Sequence, residues 1–183
     1  MSKINNTEQQ FEYWLDELIK QGYVISYERE PKTFLLTKNI GFSYNKETKL
    51  KTKTKVENKI HFFLKDITYT PDYKVVFSEK ALGKYVIHLK MSDTGYTADI
   101  NSFDKYSQFL TLSENDNGYI VYFDVKPPAF VSKFSAKVGS SREFPIKQRL
   151  MFDIHNIYVN KVVPVGSKNC LFNKTFKPIR NKT

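Results

Sequence analysis

Cysteine is almost missing from this chain of 183 residues, where Cys170 stands alone. One thiol excludes an intramolecular disulfide and any zinc centre built from several cysteines, and it suits a reducing compartment. Histidine is nearly as sparse: His61, His88 and His155 lie far apart, in no spacing that zinc ligands use. With only 7 glycines there is no phosphate loop of the Walker or dinucleotide kind, so chemistry on nucleoside triphosphates is not expected. No apolar run reaches the length of a membrane span. The polar start Met1-Ser-Lys-Ile-Asn-Asn lacks the apolar core of a signal peptide. The expectation is a soluble, cytoplasmic protein without a membrane partner.

What is present is aromatic and basic. Apolar residues make up 40% and aromatic ones 15%, the composition of a chain that buries a core rather than staying disordered. The length suits one domain of ordinary size. The formal charge of +10 points to a polyanionic partner, because lysine-rich surfaces bind phosphate backbones by releasing counterions. The charge is unevenly spread. Residues 78–118 carry −2, so the remainder carries +12. The end, residues 165–183, holds Lys168, Lys174, Lys177, Arg180 and Lys182 with no acid, and reads as a basic tail.

Periodicity orders the elements. Thr7 and Gln10 form a capping-box pattern, Phe11, Trp14, Leu15 and Leu18 make a helical stripe, and Gly22 stops it. Glu8 extends that stripe towards the core while Glu12 flanks it; Glu8 is the preferred helix carboxylate. Short strands follow at 23–27 and 32–36. Lys49, Lys51, Lys53 and Lys55 then alternate with Leu50, Thr52 and Thr54, which on one strand makes a face of ammonium groups. Such a row can track a nucleic-acid backbone, or simply guard a sheet edge. Further strands are expected at 60–66 and 69–77.

Residues 78–118 interrupt the pattern with a strand at 85–91, a turn at Gly95 and a short helix over 102–112. Lys133–Arg142 is a basic loop. Pro145 opens a second helix running to about Asn156, with Ile146, Leu150 and Ile154 as its apolar face. Lys147 falls in the same arc and Arg149 lies beside it, both candidates for nucleic-acid contact. A strand at 157–163 closes the pattern, parallel to the one before the helix.

Two segments carry the chemistry. Pro71-Asp72 opens one apolar run, and Asp124-Val125-Lys126 ends another, where Val121, Phe123 and Val125 alternate with Tyr122, Asp124 and Lys126. Proline belongs at a strand start or edge, which leaves Asp72 near the opening of a sheet. The Asp-x-Lys half is weak alone, since Glu30-Pro-Lys32, Glu47-Thr-Lys49, Glu57-Asn-Lys59 and Asp72-Tyr-Lys74 match it too. Only Asp124-Val-Lys126 stands within an alternating apolar run.

Together, Pro71-Asp72 and Asp124-Val125-Lys126 resemble the PD-(D/E)xK nuclease signature. The fuller Tyr69-Thr70-Pro71-Asp72, with a glutamate on an N-terminal helix, is similar to phage junction-resolving endonucleases of the endonuclease I type. Val125-Lys126-Pro127 also resembles transposon-end nucleases. The resemblance implies an α/β fold with a restriction-endonuclease-like core: a central mixed sheet flanked by helices over residues 1–164. An insertion at about 78–118 would separate the two catalytic strands, and its length departs from the usual family pattern.

The same resemblance implies a Mg²⁺-dependent endonuclease acting on branched or duplex DNA, with Mn²⁺ as a substitute. Asp72, Asp124 and the carbonyl of Val125 would hold the ion. Glu8 and Lys126 would complete the catalytic set, and Lys147 would steady the phosphate. Resolvers of this type are usually two-fold dimers, so a homodimer is among the expected forms, in the host cytoplasm if the chain is phage-encoded. The alternative is a catalytically silent nuclease-fold protein that binds nucleic acid or serves as a phage accessory factor.

Overall fold

The computed structural model describes residues 6–49, 51–98, 100, 102–104, 107–127, 140–165 and 175–178. The described residues form an α/β fold, mostly sheet, with two helices and open mixed sheets. In chain order they are α1 (Asn6–Lys20), β1 (Val24–Arg29), β2 (Phe34–Thr37), β3 (Ile40–Lys49), β4 (Thr54–Leu64), β5 (Ile67–Tyr69) and β6 (Tyr73–Phe77). A 3₁₀ turn at Glu79–Ala81 leads to β7 (Val86–Ser92), β8 (Gly95–Ala98), β9 (Phe109–Thr111), β10 (Ser113–Asn115) and β11 (Gly118–Val125). After them come α2 (Ser140–His155), β12 (Val159–Val165) and β13 (Thr175–Pro178).

The chain divides into two compact units, one of residues 1–32 with 70–183 and the other of Thr33–Tyr69. The larger unit is organised by a sheet in the order β1-β6-β11-β12-β13, with β10 paired to the start of β11. β1, β6 and β11 run antiparallel to their neighbours, whereas β12 runs parallel to β11. The parallel pairing follows from the α2 crossover, since two strands joined through a helix return in the same direction.

Burial explains the alternation in β6 and β11. Tyr73, Val75 and Phe77 of β6 and Val121 and Phe123 of β11 are buried and share the core with Phe11, Leu15 and Leu18 of α1. Phe11 lies 4.9 Å from the Tyr73 ring and 5.3 Å from that of Phe123, centroid to centroid. Such tilted aromatic contacts add to the area they bury. Gly118, at φ 152°, opens β11 where a Cβ would collide with the Phe77 carbonyl, so only glycine fits the close approach.

Four expectations are corrected. Residues 109–111, assigned to a helix by pattern, form β9 and pair in parallel with β7. Phe109 enters the main core, and the buried Asn160 of β12 holds both the N–H and the carbonyl of Leu110, at 2.9 and 2.8 Å. The segment 78–118 is therefore packed into the larger unit. In α2 the helix begins at Ser140, before Pro145, and its buried residues are Phe144 and Met151, while Ile146 and Ile154 are exposed. The tail contributes β13, whose Phe176 is buried against Phe11 at 4.9 Å.

The fourth correction concerns the lysine row. It does not lie on one strand: Lys49 ends β3, Lys51 and Lys53 occupy the bend, and Lys55 belongs to β4. The four lysines crowd the tip of a hairpin. In the smaller unit β3 and β4 form that antiparallel ribbon, and β2 pairs with β5. Among the described residues no helix is long and apolar enough to cross a membrane.

Candidate active site

The backbone around Asp124 holds Asp72 in place. The antiparallel ladder pairs Tyr73 with Phe123, and the Asp72 N–H also donates to the Phe123 carbonyl at 3.0 Å. One residue further on, the Asp72 Oδ2 accepts the N–H of Val125 at 2.6 Å, in the place of a ladder bond. Asp72 is thus tied to both peptides that flank Asp124, to one by its backbone N–H and to the other by its side chain. Pro71 fits this arrangement because it stands just outside the strand, where no donor is required of it. The two acids, distant in sequence, meet across neighbouring strands.

Asp124 is buried, and its Oδ2 lies 2.8 Å from the Nζ of Lys126. Period-two alternation puts both on the face opposite Phe123, whose ring packs against α1. Burial, and then the nearby negative charge of Asp124, push the Asp72 carboxyl up to about 7, with Lys126 and the Val125 N–H opposing the shift. Glu8 adds its charge to the same shift while its Oε2 accepts from Arg29 Nη2 at 2.9 Å. Glu12 serves another purpose: its Oε1 accepts the Tyr73 hydroxyl at 2.8 Å.

Lys161 escaped the sequence reading. It is the parallel-register partner of Asp124 on β12, and its ammonium sits 5.6 Å from the centre of the Phe144 ring. Burial holds its amine below the ordinary lysine range, partly offset by Asp124. The signal was a lysine inside the apolar run 159–163, but its pairing with Asp124 depends on strand register.

The other residues expected to contact nucleic acid pair along α2 or belong to the smaller unit. Lys147 is 3.4 Å from Glu143, and Arg149 is 2.7 Å from Asp153, each pair one turn apart on α2. Lys49, Lys51, Lys53 and Lys55 belong to the smaller unit. The basic loop at 133–142 falls outside the described residues up to 139.

Among the described residues no three His, Cys, Asp or Glu side chains form a metal-binding group. Mg²⁺, however, is usually held by one or two carboxylates with water and substrate phosphate supplying the rest. Asp72 and Asp124 are such a pair. Val125 directs its N–H towards Asp72, and its carbonyl leaves the same edge of the strand. Two carboxylates close enough for one to hinder ionisation of the other have the electrostatics a hard cation relieves, so the donor set fits the ion. Comparison with family models, curated proteins and solved structures finds no match.

Proposed function

We propose that this chain is a divalent-metal-dependent endonuclease that hydrolyses DNA phosphodiester bonds. The observation that carries the reading is the anchoring of Asp72 to the peptides on either side of Asp124, with Lys126 against the second acid. The order helix, three antiparallel strands, helix, parallel strand, built from α1, β1, β6, β11, α2 and β12, supports a restriction-endonuclease-like core. The +10 charge supports a polyanionic substrate.

Asp72, Asp124 and the Val125 carbonyl would hold Mg²⁺ or Mn²⁺. Bound there, the ion supplies acidification of the attacking water and charge neutralisation on the phosphate. Lys126, already an ion-pair partner of Asp124, would stabilise the non-bridging oxygens as negative charge grows on them. Lys161, beside Asp124, adds positive charge to the same side. Glu8, braced by Arg29, keeps a third carboxylate close enough to act on Asp72. Lys147 is assigned to steadying the phosphate after it leaves Glu143. Water attacks phosphorus, a P–O bond breaks, and the leaving oxygen takes up a proton.

A second reading, a nuclease-like scaffold that binds without cutting, is favoured by the Glu8–Arg29 ion pair, which occupies the third carboxylate. Conversion of supercoiled plasmid to nicked circles separates the two. The wild type should nick in Mg²⁺ or Mn²⁺ and stop on chelation. Asp72→Asn and Lys126→Gln should each lose about 10²-fold or more, with the circular dichroism spectrum unchanged. Full activity in either variant removes that residue from the mechanism, and binding without nicking under every divalent ion selects the silent scaffold.

A further inference from the structure

The ribbon of β3 and β4 is exposed along its whole length, with only Glu57 half-buried. An isolated two-stranded ribbon is marginal in water, so one that displays many large apolar side chains is built for an occupant. The register sorts them. On one face Phe42 pairs with His61, Tyr44 with Lys59 and Lys46 with Glu57. Phe42 lies 6.2 Å from Tyr44 and 5.6 Å from His61, ring centre to ring centre. All three rings therefore share one surface, and Lys46 and Lys59 continue it towards the tip.

The tip is strongly basic. Residues 46–59 include Lys46, Lys49, Lys51, Lys53, Lys55 and Lys59 against Glu47 and Glu57 alone, a net charge of +4. Glu57 is shared by Lys55 at 2.6 Å and Lys59 at 3.4 Å, on the same face as the rings. A second copy packed on this face in the same orientation would bring an identical positive tip against this one, which disfavours that mode of self-association. A polyanion is the complementary occupant.

We infer that this face of the ribbon is a platform for single-stranded nucleic acid, with bases stacked on Phe42, Tyr44 and His61 and phosphates held by the lysines of the tip. The inference rests on the reading that the chain acts on nucleic acid, and it names the form of the substrate that the smaller unit engages. Aromatic rings beside lysines are the general equipment of single-strand binding, since every base has a face to stack and every phosphate a charge. Paired bases cannot offer those faces, so a duplex would use the lysines only. The Phe42 and Tyr44 rings are tilted by 51° to each other, so each offers its own face to a base.

Fluorescence anisotropy with a labelled oligothymidine, and with a hairpin duplex of similar charge, tests this in chelator, where no cleavage occurs. The double variant F42A/Y44A should bind the single strand at least about tenfold more weakly, with little change on the duplex and an unchanged salt slope. The variant K51E/K53E should weaken both ligands and flatten the salt dependence by about one unit or more. Unchanged single-strand binding in F42A/Y44A overturns the inference, as does an equal loss on duplex or a wild type that binds no single strand. So does a wild-type dimer that F42A/Y44A converts to monomer, because the face would then join two copies. Absence of plasmid nicking would overturn the endonuclease reading while leaving this binding result intact.

Discussion

Asp72 shows how one side chain senses its surroundings. Its carboxyl titrates near 7 in the fold against an ordinary 3.8, because it is buried and faces the charge of Asp124, with Glu8 adding to the shift and Lys126 opposing it. The sign follows from proton counting. Between these values the folded chain holds a proton that the unfolded chain has lost, so stability of the metal-free protein falls as pH rises from about 4 to about 7 and levels above that. Asp72→Asn keeps an oxygen to accept the Val125 N–H but carries no charge. Thermal unfolding in chelator should therefore show the variant overtaking the wild type as pH rises through this window. At pH 8 it should melt about 2–4 °C higher for each kcal/mol of repulsion removed. Parallel pH profiles for the two proteins would mean that Asp72 is not strained by its neighbours. Tyr73 illustrates the opposite economy: its phenol is pushed above its usual range by burial and by donation to Glu12, and stays neutral.

At the scale of elements, strand patterns were the most legible. The alternating run that ends in Asp124-Val125-Lys126 is β11 as expected, since one face had to meet α1 and the other did not. The lysine row misled because period two is also produced by a turn flanked by two strands; Lys49 pairs with Thr54, and register then follows the hairpin. Helix α2 misled for another reason. Its length and apolar content were visible, but Ile146, Leu150 and Ile154 compete with Phe144 and Met151 for the inward arc, and only packing chooses. Gln148 Nε2 donates to the Val159 carbonyl at 2.6 Å, which fixes the rotation. Urea unfolding checks this: Met151→Ala should cost about 2–5 kcal/mol, whereas Ile154→Ala should stay within about 0.5 kcal/mol. Similar losses for both would restore the face expected from sequence.

At the scale of the whole molecule, the site couples to global stability. An ion bound only by the folded state stabilises it by mass action, about 2.7 kcal/mol at a hundred times its dissociation constant. For a chain of this size that corresponds to a rise of roughly 5–10 °C in the melting temperature. Mg²⁺ or Mn²⁺ at pH 8 should produce such a rise in the wild type and none in Asp72→Asn, with chelator reversing it. No shift with any divalent ion would remove the metal from the proposed function. The division into two units adds a second consequence, for the basic ribbon lies in one unit and the acids in the other. Binding and hydrolysis are therefore open to separate mutation.

Sequence alone determined which residues could carry charge chemistry, which alternating runs would be strands, and that the chain carries a formal charge of +10. Those properties are local: alternation, capping and composition act over a few residues. Tertiary structure decided that Asp72 reaches the peptides around Asp124, that Lys161 joins them in register, and that the lysines gather at a turn. Register and helix rotation are set by contacts between segments far apart in the chain, and no short stretch of residues contains them.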